Sequence, residues 1–195
     1  MNTNNSAYKI VVTALMAALC YVSFTFLKIP IPTIGGGSTA LHIGNAFCVL
    51  CALLLGGVYG GLAGSIGMTI ADLMDPRYIT SAPKTFILKL CIGLIAGFIA
   101  HKVAHISQSH KPEYILRWAA ISSAVALGFN VVFDPIVGYL YKVYILGVNA
   151  EVSKIMETWG AGATLINAIV CTVLVTLLYT ALRPVLTKSG LLKTA

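Results

Sequence analysis

Long apolar stretches follow one another along nearly the whole of this chain and leave little room for anything else. A helix that crosses the hydrocarbon core of a bilayer needs about 20 residues, so 195 residues hold about six such helices with short loops. Only 10% of the residues are charged, whereas soluble domains carry about 25%. An exterior this apolar is stable in lipid and not in water. The sequence therefore predicts a multi-pass protein of the plasma (cell) membrane, of the all-α integral membrane class.

The pattern predicts one six-helix membrane domain over residues 1–195, a compact bundle of six transmembrane helices. The second span is short and is separated from the third only by a glycine-rich turn around Gly57. Pro135 should kink the fifth span or end a turn within it. The connections 27–41, 75–82 and 144–157 are predicted loops. The predicted spans are residues 8–26, 43–56, 58–74, 83–103, 114–143 and 158–182.

Basic residues near the span ends set the orientation of a membrane protein. Here they divide almost evenly between the two sides, but the connection 102–117 is clearly basic. Most acidic residues of the loops, with the exception of Glu113, fall on the other side. The sequence therefore predicts both termini in the cytoplasm.

With that orientation, costly polar side chains are concentrated in the outer half of the membrane. A charge at the centre of a helix in lipid costs roughly 2.5 to 3.5 kcal/mol, so such residues are usually paired or functional. Asp72 and Lys89 could form a structural ion pair between neighbouring helices, contact a ligand, or do both. The predicted substrate-binding residues are Asn45, Asp72, Lys89, Asn130, Asp134, Trp159 and Asn167.

Several of these residues also have a structural interpretation. Asn130 and Asp134 are four residues apart and share a helix face, but they could instead satisfy backbone groups freed by Pro135. Trp159 could be an interfacial anchor. His42, at the margin of a span, is better explained as interfacial than as a ligand contact.

The inner halves of the spans carry only small or weakly polar side chains, so no ion path continues through the chain. The sequence has no nucleotide-binding loop, no nucleophile–base set and no metal cluster. It therefore predicts no enzyme activity, no catalytic residue, no metal and no cofactor bound by this chain. The net charge of +7 suits anionic lipid heads and not nucleic acid. A solute-binding protein moved by a partner fits these features.

Four segments carry a resemblance to a known family: residues 41–47 (LHIGNAF), 53–64 (LLLGGVYGGLAG), 71–74 (ADLM) and 82–89 (APKTFILK). Together they resemble the substrate-binding S components of energy-coupling factor (ECF) vitamin transporters. The sequence is most similar to the branch that includes hydroxymethylpyrimidine, pyridoxine and riboflavin-type S components.

This resemblance implies solute capture from outside by one compact six-helix domain. It also implies partners absent from this chain, namely a membrane coupling (T) subunit and two cytoplasmic ATPase subunits that use ATP. The first loop would close over the ligand as a lid, with Pro30, Pro32 and Gly36 in it. An AxxxA pattern on the first helix, Ala14 and Ala18, would dock on the coupling subunit.

The ligand is predicted from the polar residues themselves, because S components share a fold and differ in their pockets. Three asparagines offer donors and acceptors, and Trp159, Tyr139 and Phe133 could stack on a flat ring. This favours a small heteroaromatic such as a hydroxymethylpyrimidine or a pyridoxine-like pyridine, with riboflavin and other vitamins left open. Two other functions remain as alternatives. One is a self-sufficient ion-coupled secondary carrier that uses Asp72, Lys89 and Asp134; the other is a small membrane enzyme or assembly subunit.

Overall fold

The computed structural model describes residues 6–34 and 38–192, and within them the chain forms six α-helices and one short β-hairpin. The helices are α1 (Ser6–Phe26), α2 (Gly44–Leu55), α3 (Gly57–Met74), α4 (Ala82–Phe98), α5 (Pro112–Leu140) and α6 (Ala150–Lys188). The hairpin strands β1 (Ile29–Pro32) and β2 (Ser38–Leu41) lie between α1 and α2. π-helical turns extend α4 (Ile99–Val103) and α5 (Tyr141–Ile145). The predicted all-α membrane class is confirmed.

Four helical segments of the described chain are long and apolar enough to cross a membrane. They are Ser6–Phe26, Ile79–Val103, Pro112–Ile145 and Ala150–Lys188. Helix α2 is shorter, with 12 residues, and ten of these are buried. It therefore lies inside the bundle and is surrounded by the other helices. Gly56 separates it from α3 with a φ of 102°, a conformation that a side chain would strain.

Helices α3 and α4 approach each other closely along glycines. A Cβ atom added at Gly93 would collide with the backbone of Gly61, and one added at Gly97 would collide with Gly57. Small residues permit this kind of backbone contact in membranes. This close contact holds α4, which carries Lys84 and Lys89, against α3, which carries Asp72.

The structure differs from the sequence prediction in two connections. The segment 27–41, predicted as a loop, contains the antiparallel pairing of Ile29 with Leu41 and of Pro32 with Ser38. Helix α6 begins at Ala150 and not at residue 158. Its start is stabilised by Asn149, whose Oδ1 accepts hydrogen bonds from the backbone N–H groups of Glu151 and Val152 at 2.9 and 3.3 Å. Most of the predicted polar loop 144–157 is therefore helical.

The helices alternate in direction, so two ends of the bundle can be distinguished. The outer end contains the hairpin, the starts of α2, α4 and α6, and the ends of α3 and α5. The inner end contains the start of α1, the connection between α4 and α5, and the end of α6. The first and last described residues therefore lie at the same end of the bundle, which we call the inner end because the sequence predicts it to be cytoplasmic.

Candidate functional site

A cavity of about 120 Å³ opens at the outer end of the bundle. The hairpin and all the helices contribute to its wall, because each brings a polar or aromatic side chain to this depth. Six of the seven residues predicted to bind substrate line it: Asn45, Asp72, Lys89, Asn130, Asp134 and Asn167. The structure thus brings together residues that are far apart in the sequence.

Two ion pairs link neighbouring helices around this cavity. Lys84 Nζ on α4 lies 3.1 Å from Asp134 Oδ1 on α5. Lys142 Nζ, just after α5, lies 2.6 Å from Glu157 Oε1 on α6. The Thr164 hydroxyl also donates to Asp134 Oδ2 at 3.3 Å. These contacts neutralise four of the cavity charges and fix the relative positions of α4, α5 and α6.

Asp72 and Lys89 are both buried, with 2% and 8% of their surface exposed. The structural ion pair considered for them is not formed, because no contact within 4.0 Å joins them in the described residues. Asp134 pairs with Lys84 instead, one and a half turns before Lys89 on α4. Lys89 Nζ is therefore a buried donor without a carboxylate partner in this part of the chain. A buried donor of this kind favours a ligand that can accept a hydrogen bond from it.

Asn45 and Asn130 also contribute polar atoms without hydrogen-bond partners to the cavity wall. The side-chain oxygens of both residues are buried, and neither has a hydrogen-bond partner within residues 6–34 and 38–192. A buried acceptor without a partner costs about 1–3 kcal/mol. A ligand with two N–H or O–H donors would recover that cost.

Asn167 lines the cavity, but its amide group is already engaged. Its Oδ1 accepts from the backbone N–H of His42 at 3.0 Å, and its Nδ2 donates to the carbonyl of Ala40 at 2.9 Å. The residue therefore fixes the end of strand β2 to helix α6. This is a positioning contact that the sequence alone did not indicate.

The aromatic part of the wall differs from the predicted one. Trp159 is 51% exposed and does not line the cavity, so its placement among the site residues is corrected. The reason is helical spacing: Glu157, Gly160 and Thr164 face the cavity from α6 at intervals of three and four residues, and position 159 points to another side. The other two aromatic residues considered for stacking, Phe133 and Tyr139, also lie outside the wall.

Phe24, His42 and Tyr78 supply the aromatic surface instead. The rings of Phe24 and His42 meet edge to face with centroids 4.5 Å apart, and Tyr78 lies 6.1 Å from Phe24. Burial, and to a smaller extent the charge of Lys89, lowers the pKa of His42 to about 3. The imidazole is therefore neutral, and its Nδ1 accepts from the backbone N–H of Gly44 at 3.2 Å.

The hairpin occupies the segment that the resemblance predicts to be a lid, and Ser38, Thr39 and Ala40 of β2 line the cavity. Pro30 and Pro32 lie in β1, which is the more exposed strand, while Gly36 lies outside the described residues. The Tyr78 hydroxyl donates to the carbonyl of Thr39 at 3.2 Å and lies 3.0 Å from the Ser38 hydroxyl. Strand β2 is thus attached to the bundle through its backbone, whereas β1 is attached mainly through β2.

A second contact holds the base of the hairpin. Lys28 Nζ lies 2.7 Å from Asp75 Oδ2, at the junction that follows α3. Arg77 also binds this carboxylate at 2.8 Å. The Arg77 guanidinium, and after it Lys28, holds the pKa of Asp75 well below its usual range. The carboxylate therefore stays charged over the physiological pH range.

The residues predicted to dock on a partner lie on the lipid-facing side of α1. Ala14 and Ala18 are exposed, and they line an apolar groove between α1 and α3 together with Tyr59 and Ile66.

Within the described residues, no group of three or more histidine, cysteine or acidic side chains could hold a metal ion. The five cysteines are free.

Several wall residues were not predicted from the sequence, namely Phe24, Tyr78, Lys84, Lys142, Glu157 and Thr164. The spacing of Glu157, Gly160, Thr164 and Asn167 along one helix face was a usable signal. It was hidden because residues 144–157 were assigned to a loop.

Comparisons with known proteins agree with this architecture. Residues 4–184 match the family described as ECF-type riboflavin transporter, S component. An uncharacterized protein in a gap 3' region of Pyrococcus woesei is 33% identical over 79 residues, which are 40% of this chain and 50% of that protein. The chain thus matches only about half the length of this relative. The solved structure of ThiT from Listeria monocytogenes has a TM-score of 0.67 and 15% identity, and the match covers 91% of this chain and 96% of ThiT. At this identity the likeness concerns the fold.

Proposed function

Because the chain belongs to the ECF-type riboflavin transporter S component family, we propose that its outer cavity captures a small heteroaromatic vitamin or vitamin precursor. The chain is a multi-pass S component of the plasma membrane. The matched family is described as a transporter component. Our proposal concerns the ligand, the residues that bind it and the partners that move it.

The observation that carries the proposal is the pair of unsatisfied amide oxygens of Asn45 and Asn130 in a wall that also contains Lys89. A hydroxymethylpyrimidine or a pyridoxine-like pyridine has amino, hydroxyl or ring N–H donors for the amide oxygens. Its ring nitrogen or oxygen substituents accept from the lysine. Phe24 and Tyr78 would contact the flat ring. The ligand would thus satisfy groups that are otherwise buried without partners.

The size of the cavity also supports a ligand with one ring. Sites for drug-sized molecules usually measure about 300–1,000 Å³, and this cavity measures about 120 Å³. Riboflavin is the second candidate, because the matching family is described by that vitamin. Its three fused rings and ribityl chain would require the hairpin to move away from the cavity.

Binding to the purified chain tests the ligand assignment. Native mass spectrometry would first identify any vitamin that co-purifies. Calorimetric titration with a hydroxymethylpyrimidine, pyridoxine and riboflavin would then rank the affinities. We expect a single-ring compound to bind more tightly than riboflavin; the opposite order would replace our proposal by the second candidate.

Substitutions of the two asparagines in the cavity wall test whether their amide oxygens bind the ligand. Asn45→Leu and Asn130→Leu each remove an acceptor that the ligand would use, so we expect the affinity to fall about tenfold or more. Ser122→Ala is a matched control, because it removes a buried oxygen outside the cavity that also lacks a partner among the described residues. Equal affinities of all three variants would show that the asparagines do not contact the ligand.

We further propose that a membrane coupling subunit and two cytoplasmic ATPases energise uptake. In support, Ala14 and Ala18 are exposed on α1 and do not serve internal packing. Ala14→Trp or Ala18→Trp should preserve ligand binding and abolish uptake by the full complex. Leu15→Trp is the control, because Leu15 is exposed on α1 but does not line the groove that contains Ala14 and Ala18.

The alternative of a secondary carrier makes a different prediction. Liposomes that contain only this chain should show no uptake when a proton or sodium gradient is imposed. Gradient-driven uptake that is lost on substitution of Asp72, Lys89 or Asp134 would support the carrier instead.

A further inference from the structure

The charges of this chain are divided unevenly between the two ends of the bundle. All ion pairs of the described residues lie at the outer end. Glu113 is the one acidic residue at the inner end, and every acidic residue falls within the described ranges. The inner end therefore carries basic side chains that have no carboxylate within 4.0 Å in residues 6–34 and 38–192; they are Lys9, Lys102, Lys111, Arg117, Arg183 and Lys188.

Arg183 is unusual among these residues because it is buried, with 4% of its surface exposed. Its Nη2 donates to the carbonyls of Ser109 and Ser107 at 2.7 and 3.4 Å, in the connection before α5. Its Nη1 is also buried but has no acceptor in the described part of the chain. A buried guanidinium group normally has its donors satisfied by an anion or by further acceptors. The Nη1 group of Arg183 is therefore a buried donor that lacks an acceptor in the described residues.

Arg183 lines a groove of about 310 Å³ between the start of α5 and the end of α6. The apolar side chains of Pro112, Ile115 and Pro184 form much of its wall, and His110 and Lys188 lie exposed at its rim. Helix α5 begins at Pro112, and its N-cap residue makes no side-chain hydrogen bond to the first turn. Glu113 in the same first turn offsets the partial positive charge of this helix start, so the positive charge of the groove comes from its side chains.

We propose that this groove binds an anionic phospholipid of the cytoplasmic leaflet. The phosphate would lie near Arg183, His110 and Lys188, and an acyl chain would pack on Ile115 and the neighbouring apolar wall. A lipid fits better than a free phosphate because the cations border a surface that is mainly apolar. The cytoplasmic leaflet is the anionic one, and the groove lies at the end of the bundle that faces it. The site is distinct from the solute cavity at the outer end.

Native mass spectrometry of the delipidated full chain in detergent tests this site. The protein is titrated with phosphatidylglycerol, with phosphatidylcholine, and with phosphatidylglycerol in the presence of excess inorganic phosphate. We expect retention of the anionic lipid alone, without displacement by phosphate. Equal retention of both lipids would overturn the proposal, and displacement by inorganic phosphate would identify a free anion as the ligand instead.

Variants at the rim locate the site without disturbing the buried contacts of Arg183. His110→Gln together with Lys188→Gln removes one full charge and should weaken phosphatidylglycerol binding about fivefold. Lys102→Gln removes an exposed charge at the same end and Lys154→Gln removes one at the outer end, and both should leave the affinity unchanged. A loss with Lys102→Gln equal to that of the rim variant would mean that the basic end attracts lipid without a specific groove. Solute binding should be the same in all of these variants, which separates this test from the proposed function.

Discussion

Gly138 allows a site carboxylate to pack directly against helix α5, and this contact can be tested with a single methyl group. A Cβ atom at position 138 would lie 2.5 Å from Glu157 Cδ and 2.6 Å from its Oε1. Ordinary van der Waals contact begins at 3.4 Å, so Gly138→Ala would require the carboxylate to move by about 0.9 Å. Glu157 is buried and pairs with Lys142 at 2.6 Å, so such a movement would strain the ion pair.

Overpacking usually costs about 1–3 kcal/mol, and we expect the lower end of this range because the atoms that must move are the end of the flexible Glu157 side chain. For a chain of this length, each kcal/mol lowers the melting temperature by about 2–4 °C. We therefore expect Gly138→Ala to melt several degrees below the wild type in a size-exclusion thermostability assay. The same variant should weaken ligand binding, because Glu157 lines the cavity. Gly128→Ala is the matched control on the same helix: its Cβ atom would meet no described atom within 4 Å, and its stability should be unchanged or slightly higher.

A double-mutant cycle isolates the contact. Glu157→Asp shortens the side chain and makes room for the methyl group, so the double variant should lose less stability than the sum of the two single variants. Equal melting temperatures for Gly138→Ala and Gly128→Ala would refute this reasoning. Strict additivity with Glu157→Asp would also contradict it.

Three further outcomes follow from contacts of the site. Asn167→Ala removes the two hydrogen bonds of this side chain to Ala40 and His42, and we expect faster labelling of single cysteines placed in the hairpin and weaker ligand binding. The pKa of His42 is about 3 in the folded chain, compared with an ordinary value of 6.5. At a pH between these two values, the His42 imidazole is protonated in the unfolded chain and neutral in the folded chain. Stability should therefore fall as the pH drops below about 6.5, and His42→Gln should reduce this dependence in melting curves; an identical dependence would contradict it. Lys84→Met leaves Asp134 without its cation and should cost about 3 kcal/mol in thermal unfolding, whereas the double variant Lys84→Met/Asp134→Leu should recover much of that stability.

The depth of the polar residues could be predicted from the sequence because the cost of charge in lipid restricts where such residues occur. Asn45, Asp72, Lys89, Asn130 and Asp134 were expected to converge on one end of the bundle, and they line one cavity. Depth does not determine direction around a helix axis, however. Trp159 lies at the expected depth, and its side chain lies outside the cavity.

The pairing of charges could not be predicted because it depends on the positions of the helices. Lys84 and Lys89 lie on the same helix one and a half turns apart, and only the packing of α4 against α5 decides that Lys84 meets Asp134. The start of α6 was missed for a local reason. The stretch around Asn149 is polar enough for a loop, but its side chain caps the helix.

The burial of α2 has a consequence for how this protein enters the membrane. Its 12 residues span about 18 Å as a helix, which is well short of the roughly 30 Å hydrocarbon core. Such a segment is a weak signal for insertion on its own, so we expect α2 and α3 to leave the translocon together as a pair joined at Gly56. The assembly of the outer half would then wait for α4 and α6 to enclose α2, and the cavity would form only after the last helix has been synthesised.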